Sequence, residues 1–454
     1  MESIEFQQKK ILVLGAGISG MSVAYILSKL GAKVTLSDAK SEEALNKDFS
    51  SLREAGVTLS LGNQNEKLLD KTDYIVLSPG ISIYIPLVKA AQAKGITVMS
   101  EIEVAYRLCP APIIAVTGTN GKTTTTTLIG EMLKTTGREV VVGGNIGLAL
   151  SQEVAEAGAK GIVAAEISSF QLEGVIEFRP HIAAVLNITP DHLDRHHSMD
   201  VYISMKERIF AQQTKDDYVI LNYDDKIVRD MANRAPSQVM YFSRQVELPA
   251  GIFVKNGIIT ISWQGKTIEV FPIERMQIRG AHNVENALAA CGAAFLSGVN
   301  IADIAKILRE FPGVEHRIEP VAVINNVAYY NDSKATNPES SIKALEAFPG
   351  NVILIAGGRD KNTDLTEFMK LVKEKVAHLI LLGEAKERFN QAAVQHGVQS
   401  IHLVERFADA VRLAYDLAQS PQVVLLSPAC ASYDMFDNFE QRGKVFKELV
   451  RKLG

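Results

Sequence analysis

At 454 residues the chain is too long for one compact core, and its 47% apolar and 22% charged residues with a formal net charge of −4 are those of an ordinary globular protein with about three domains. The balance is not basic, which argues against nucleic acid or an anionic membrane as partner, and no apolar run approaches the roughly 18 residues a membrane span needs. Cys109, Cys291 and Cys430 lie far apart without a C-x-x-C, so neither a disulfide framework nor a Cys-rich zinc site is expected, and the polar stretch 1–10 has no apolar signal core. A cytoplasmic monomer acting on small molecules is the expectation.

The first segment opens with Lys10-Ile11-Leu12-Val13-Leu14, then Gly15-Ala16-Gly17-Ile18-Ser19-Gly20, a helical pattern over 21–30, and Lys33-Val34-Thr35-Leu36-Ser37-Asp38. Strand, G-x-G-x-x-G, helix, strand and acid is the order of a dinucleotide fold, in which Asp38 can accept from a ribose hydroxyl. The fingerprint leaves two readings open: a bound nucleotide of unstated identity, or a glycine turn kept only for packing. Tyr74-Ile75-Val76-Leu77 leads into Ser78-Pro79-Gly80, a loop expected on the same crevice, and Thr97-Val98-Met99 follows. Residues 101–112 break the periodicity and end in Cys109-Pro110-Ala111-Pro112, so the first boundary falls near residue 100.

The second segment, 101–312, starts with Ile113-Ile114-Ala115-Val116-Thr117, a strand predicted to end in the loop Gly118-Thr119-Asn120-Gly121-Lys122-Thr123-Thr124. Backbone N–H groups bared by Gly118 and Gly121, with the positive end of the next helix, can surround an anion. Lys122 would reach the terminal phosphates and the Thr123 hydroxyl would stand where Mg²⁺ takes a ligand. Val116 occupies the place of the first glycine of the usual phosphate-loop pattern, leaving a shortened G-x-x-G-K-T-T; we read it as an ATP site. A strand over 161–165 ends in Glu166, a carboxylate at the carboxyl edge of the sheet where a nucleotide-bound cation finds a ligand; a buried structural glutamate is the alternative. Ile182-Ala183-Ala184-Val185-Leu186-Asn187 runs into Thr189-Pro190-Asp191-His192-Leu193-Asp194-Arg195-His196-His197, with imidazole and carboxylate groups able to hold a second divalent ion. Here Thr189-Pro190-Asp191 makes a helix start with Asp191 as cap, and His196 and His197 are equally well explained as capping or solvent-exposed residues. Periodicity over 202–210 puts Lys206 on a helix surface. The runs 252–254 and 258–261 around Lys255-Asn256-Gly257 predict a hairpin, and 280–290 predicts a helix carrying Asn283 and Asn286 three apart, amides that a nucleobase or sugar could satisfy.

Phe311-Pro312-Gly313 marks the second boundary, and 313–454 is again β/α, with four strands ending in polar, Gly-containing or hydroxyl loops. The fold class is therefore α/β in three domains: an N-terminal Rossmann-like domain, a central ATPase-like phosphate-loop domain with a mostly parallel sheet, and a C-terminal Rossmann-like open sheet.

In this order the pieces resemble the Mur ligase family of peptidoglycan precursor synthesis from end to end. The resemblance is carried by Thr117–Thr123, Asn145-Ile146-Gly147, Glu166–Leu172, Asp191–Asp194, Gly280–Asn283, Glu315-His316-Arg317, Asp332–Thr336, and the tail Ser427–Ser432 to Asn438–Gly443. The tail is most particular to the D-glutamate-adding member. The resemblance implies that the first domain holds the UDP part of a UDP-N-acetylmuramoyl-L-alanine substrate rather than NAD, with Ile18, Ser19, Asp38 and Gly80 lining the site and Asn145 reaching toward the sugar. It implies ATP on Gly118 to Thr124, with Asn283, Asn286, Arg317 and Asp332 closing over it. Two Mg²⁺ ions, or Mn²⁺ in their place, would be held by Thr123, Glu166, His192 and Lys206, the last as a carbamate, making Lys122, Glu166, His192 and Lys206 the catalytic set. D-Glutamate would be gripped by Lys334, Thr336, Lys361, Ser432, Tyr433 and Phe439, with Tyr433 standing where leucine is frequent. The implied activity is ATP-dependent amide formation through an acyl phosphate, with closure hinged near 311–315.

An NAD-dependent oxidoreductase would account for Gly15 to Gly20 and Asp38 but leave Gly-Lys-Thr idle. A nucleotide-switch module would account for the phosphate loop but not for the polar strand ends of the third segment. Folylpolyglutamate synthases share the central motifs, but the N-terminal Gly15 domain argues against them.

Overall fold

A computed structural model describes residues 4–70, 72–147, 149–154, 157–360 and 362–453. Among these described residues, twenty strands form three sheets. The first contains β1 (Lys10–Leu14), β2 (Lys33–Asp38), β3 (Thr58–Leu61), β4 (Tyr74–Leu77) and β5 (Thr97–Ser100), all parallel, in the order β3-β2-β1-β4-β5. Strand order reverses between β1 and β4, and an open parallel sheet holds its ligand at such a switch point. The turn there is tight: a Cβ on Gly20 would lie 1.9 Å from the Gly15 carbonyl oxygen.

The second sheet runs β14-β13-β12-β11-β10-β9-β6-β8-β7, from β6 (Ile113–Thr117), β7 (Val140–Gly144), β8 (Ile162–Glu166), β9 (Ile182–Val185), β10 (Tyr218–Asn222), β11 (Gln238–Ser243), β12 (Gly251–Lys255), β13 (Ile258–Trp263) and β14 (Lys266–Pro272). It is parallel from β7 to β12, and every residue of β6, β8 and β9 is buried, as continuous apolar runs covered on both faces require. β12, β13 and β14 are antiparallel; the expected hairpin turns at Asn256 and Gly257, with φ of 48° and 75°.

These two sheets belong to one compact unit, residues 1–275 with 285–309. Helix Glu101–Leu108 occupies the stretch where periodicity fails, and it joins the sheets through its acids. Glu103 accepts from the N–H groups of Ile176, Glu177 and Phe178, and Glu101 accepts from Ser151 at 2.7 Å.

The third sheet, β15-β16-β20-β17-β18-β19, is formed by β15 (Glu319–Ile324), β16 (Val327–Asn331), β17 (Val352–Gly357), β18 (Val376–Leu382), β19 (Ile401–Leu403) and β20 (Val423–Leu426), parallel apart from β15. It lies in the second unit, residues 276–284 with 310–454. The loops after β16, β17 and β20 meet at its carboxyl edge: Asp332 N–H donates to Leu426, Gly357 N–H to Pro428, and Arg359 bridges Ala431.

Candidate active site

In the N-terminal unit the phosphate loop joins β6 to helix Lys122–Lys134, between β8 and β9. Gly121 caps that helix with φ of 87°, and a Cβ there would sit 2.1 Å from Asn286 Oδ1, so glycine is required both by the backbone and by the amide beside it. Asn187, at the end of the β9 segment, holds the loop: its Oδ1 accepts from Asn120 N–H at 2.8 Å and its backbone carbonyl from Thr119 N–H at 2.9 Å. Thr119 Oγ1 contacts Tyr202 Oη at 3.1 Å, Thr123 is buried in the first helical turn, and the buried Thr124 hydroxyl has no hydrogen-bond partner among the described residues.

Lys122 Nζ donates to the carbonyls of Gly118 at 2.9 Å and Thr119 at 2.8 Å. Lys206 is a correction to the surface lysine that periodicity predicts: it is 1% exposed, and its Nζ donates to the same Gly118 carbonyl at 2.8 Å. Two amines therefore share one acceptor. Burial first, and the Lys122 charge second, hold the Lys206 ammonium well below the ordinary lysine range, with Asp191 and Glu166 opposing.

Glu166 ends β8, 2% exposed. Its Oε1 accepts from the Asn145 amide at 2.8 Å, while Oε2 is buried without a hydrogen-bond partner among the described residues. A buried carboxylate oxygen left unpaired beside a phosphate loop has the donor chemistry of a Mg²⁺ ligand, and the hard oxygen of Thr123 suits the same ion. His192 is exposed, with φ of 54° and its ring 4.7 Å from that of Phe170. It, rather than Asp191, stands at the N-cap of the helix Leu193–His196, because Asp191 Oδ1 is taken by the His192 N–H. His196 is fully buried instead of capping or exposed, 3.0 Å from Ser169 Oγ, whereas His197 is exposed.

At the first sheet, Ile18 is 71% exposed and Ser19 half-buried at the start of helix Ile18–Lys29, and Gly80 is exposed. Asp38 is partly committed to the glycine turn, since its Oδ2 accepts from Ala16 N–H at 2.8 Å. Asn145, by its bond to Glu166, ties one expected ligand set to another.

The C-terminal unit gathers a second group. Asn283 lines a cavity of about 180 Å³ with Arg279, Gly313, Arg317 and Tyr330. Arg317 Nε is buried with no hydrogen-bond partner among the described residues, a donor suited to an anion. Asp332 accepts from Ser427 Oγ at 2.7 Å and Ile318 N–H at 3.2 Å, and burial pushes its carboxyl up to about 7 against the Arg317 charge. Asn286 falls in the other unit, against Gly121. Lys334 lies over the Phe439 ring at 5.6 Å, Thr336 is half-buried, Ser432 is buried and Tyr433 is 65% exposed. Lys361 lies outside the described residues.

Asn187, Tyr202 and Arg442 were not singled out by the sequence. Arg442, 1% exposed, donates to Ser333 Oγ at 2.9 Å, to the Ser333 carbonyl at 2.8 Å and to the Cys430 carbonyl at 3.1 Å, locking the loops after β16 and β20 together. Only the arginine in the tail block was visible in advance.

Among known proteins, the profile of the Mur ligase MurD-like N-terminal domain matches residues 9–100, that of the Mur ligase middle domain 116–294, and that of the Mur ligase glutamate ligase domain 316–430. The chain belongs to the Mur ligase family. Within it, the chain is 47% identical to the UDP-N-acetylmuramoylalanine–D-glutamate ligase of Caldanaerobacter subterraneus subsp. tengcongensis, over 99% of this chain and 100% of that one. It is 46% identical to the ligase of the same name from Pelotomaculum thermopropionicum, over 99% of each chain. The fold is also that of Thermotoga maritima UDP-N-acetylmuramate-alanine ligase, with TM-score 0.60 and 19% identity over 98% of this chain and 100% of that one. Thermotoga maritima MurF ligase, solved in complex with ADP, aligns with TM-score 0.60 and 16% identity over 99% of this chain and 97% of that one.

Proposed function

We propose that the chain is an ATP-dependent ligase that adds D-glutamate to UDP-N-acetylmuramoyl-L-alanine in cytoplasmic peptidoglycan precursor synthesis. The observation that carries the reading is the clustering of Lys122, Lys206 and the unpaired Glu166 oxygen around one phosphate loop, in a chain similar along its whole length to ligases of that name.

A carboxylate is a poor acyl donor because oxide is a poor leaving group. The L-alanyl carboxylate attacks the γ-phosphorus of ATP, ADP departs, and an acyl phosphate forms. The D-glutamate amine then attacks the acyl carbon, loses a proton, and expels inorganic phosphate. Lys122 exchanges the carbonyls of its own loop for phosphate oxygens, and the N–H groups at Gly121 and the helix start take the rest of the charge. Mg²⁺, or Mn²⁺, held by Thr123, Glu166, His192 and a carbamylated Lys206, would neutralise charge on the transferred group. Lys206 is suited to that modification, because its burial disfavours the ammonium and the free amine is the form that adds CO₂, releasing a proton and becoming an anion. Ile18, Ser19, Asp38, Gly80 and Asn145 take the sugar nucleotide, while Asn283, Asn286, Arg317 and Asp332 take ATP. Lys334, Thr336, Lys361, Ser432, Tyr433 and Phe439 orient D-glutamate, which supplies rate as an entropy term. The domain roles follow: 1–100 for UDP-substrate, 101–312 for ATP and 313–454 for the amino acid, with a hinge near 311–315.

The test is ADP release with UDP-N-acetylmuramoyl-L-alanine against a panel of amino acids. Release that depends on both the sugar nucleotide and D-glutamate is expected; release indifferent to the amino acid, or preferring another one, refutes the reading.

A further inference from the structure

Arg195 has no part in the roles assigned above, yet it touches three of the segments that carry them. Its guanidinium pairs with Glu173 in fork fashion, Nε to Oε1 at 2.8 Å and Nη2 to Oε2 at 2.7 Å, and lies 4.1 Å from the centroid of Phe170, whose ring also packs on His192. The remaining donors reach into the first domain: Nη1 to the Pro79 carbonyl and Nη2 to the Ile81 carbonyl, each at 2.9 Å. These two carbonyls bracket Gly80, where a Cβ would meet nothing within 4 Å, so the loop is held through its carbonyls while Gly80 stays open.

The turn on the other side of Arg195 is strained at both ends, with His192 at φ of 54° and His197 at 65°. Non-glycine residues keep such angles only when their surroundings impose them. The contacts around the turn include Arg195 on Glu173, His196 on Ser169, Phe170 on His192, and the His197 ring 5.3 Å from that of Tyr84, again from the first domain. A strained turn joined to the Gly80 loop by a half-buried guanidinium, with the Tyr84–His197 ring contact beside it, is placed to respond when that loop moves.

We infer that Arg195 is a positioning residue that couples the sugar-nucleotide loop at Gly80 to the turn carrying His192, so that sugar nucleotide and divalent cation bind cooperatively. The inference rests on the proposed assignment of those two loops. Reciprocity follows: whatever the sugar nucleotide does to cation affinity, the cation does to sugar-nucleotide affinity by the same factor.

The experiment uses Mn²⁺ as probe, its binding followed by electron paramagnetic resonance with and without UDP-N-acetylmuramoyl-L-alanine, in the wild type and in Arg195→Gln. In the wild type saturating sugar nucleotide tightens Mn²⁺ by about fivefold or more, the size of ordinary site-to-site coupling. In Arg195→Gln the factor falls toward one, while each ligand alone still binds. A factor unchanged by the substitution overturns the inference. A measurement on the wild type alone guards against a variant that fails to fold: sugar nucleotide slows hydrogen exchange at residues 192–197, and unaltered exchange there overturns the inference equally. A wild type that does not bind UDP-N-acetylmuramoyl-L-alanine sinks the functional reading and the coupling with it, whereas binding without coupling sinks the coupling alone.

Discussion

Asp332→Asn is expected to stabilise the C-terminal unit while destroying turnover. The buried carboxyl of Asp332 is pushed from 3.8 up to about 7, with burial as the chief cause. Between those values the folded chain holds a proton that the unfolded chain has released, so stability falls as pH rises through this window and then levels off. At about 1.4 kcal/mol per tenfold change in proton affinity, the penalty at pH 8 has a ceiling of about 4 kcal/mol. Asparagine removes it and keeps the contacts. Its carbonyl accepts from Ile318 N–H, its amide donates to Ser427 Oγ, and the Ser427 proton turns to Ser341 Oγ, 2.9 Å away. Allowing for that rearrangement, a gain of about 2–3 kcal/mol is expected at pH 8, shrinking toward pH 5.5. Thermal unfolding across that range reads it, with hydrogen exchange at β16 and β20 identifying the transition that opens the third sheet. A variant less stable than wild type at pH 8, or a gain that does not change with pH, would refute the electrostatic reasoning.

Gly121→Ala should cost about 2–4 kcal/mol, from a left-handed alanine and a methyl driven onto buried Asn286, and weaken ATP at least about tenfold. Gly137→Ala, with φ of 73° but open space around its Cβ, is the control and should lose only about 1 kcal/mol in denaturant titrations. Glu166→Gln keeps an acceptor for the Asn145 amide and should fold normally, yet lose Mn²⁺ affinity about tenfold or more; unchanged binding would remove Glu166 from the metal set. Lys206→Arg buries a cation that cannot shed its proton and should destabilise by about 3 kcal/mol, whereas Lys206→Met should fold and be inactive. Because the folded state favours neutral Lys206, wild-type stability from this group rises with pH toward 10.5, and Lys206→Met flattens that rise in pH-dependent melting.

Strand ends were legible in the sequence because a fully buried parallel strand is an uninterrupted apolar run, and the residue that stops the run must lie at the sheet edge. That logic placed Gly118 and Glu166 correctly at the edge where they are found. It failed for Lys206, because the helix Met199–Glu207 has no clean apolar stripe and the partner that accepts its amine, Gly118, is 88 residues away. The same limit hid Asn187, whose side chain looks like any loop amide until Asn120 is brought to it, and Arg442, whose acceptors are a distant serine hydroxyl and backbone carbonyls that no side-chain pattern reveals. His196 was misread for a related reason: a run of histidines and aspartates looks solvated, and only the packing of Ser169 and Tyr202 against it buries the ring.

What separates a metal–triphosphate site from a dinucleotide site is the sign of what each unit leaves unpaired. Among the described residues, the buried Glu166 Oε2 of the N-terminal unit and the buried Arg317 Nε of the C-terminal unit have no hydrogen-bond partner, the first suited to a cation and the second to an anion. Each costs stability as it stands, since a desolvated polar atom forfeits its water without replacement. A nicotinamide dinucleotide on Gly15 to Gly20 would answer neither deficit. A divalent cation beside Glu166 would answer the first deficit, and a phosphate on the loop would relieve the contest of Lys122 and Lys206 for the Gly118 carbonyl by giving Lys122 another acceptor. In the proposed reaction the glycine fingerprint, which alone suggested an oxidoreductase, serves the other nucleotide, the one attached to the sugar.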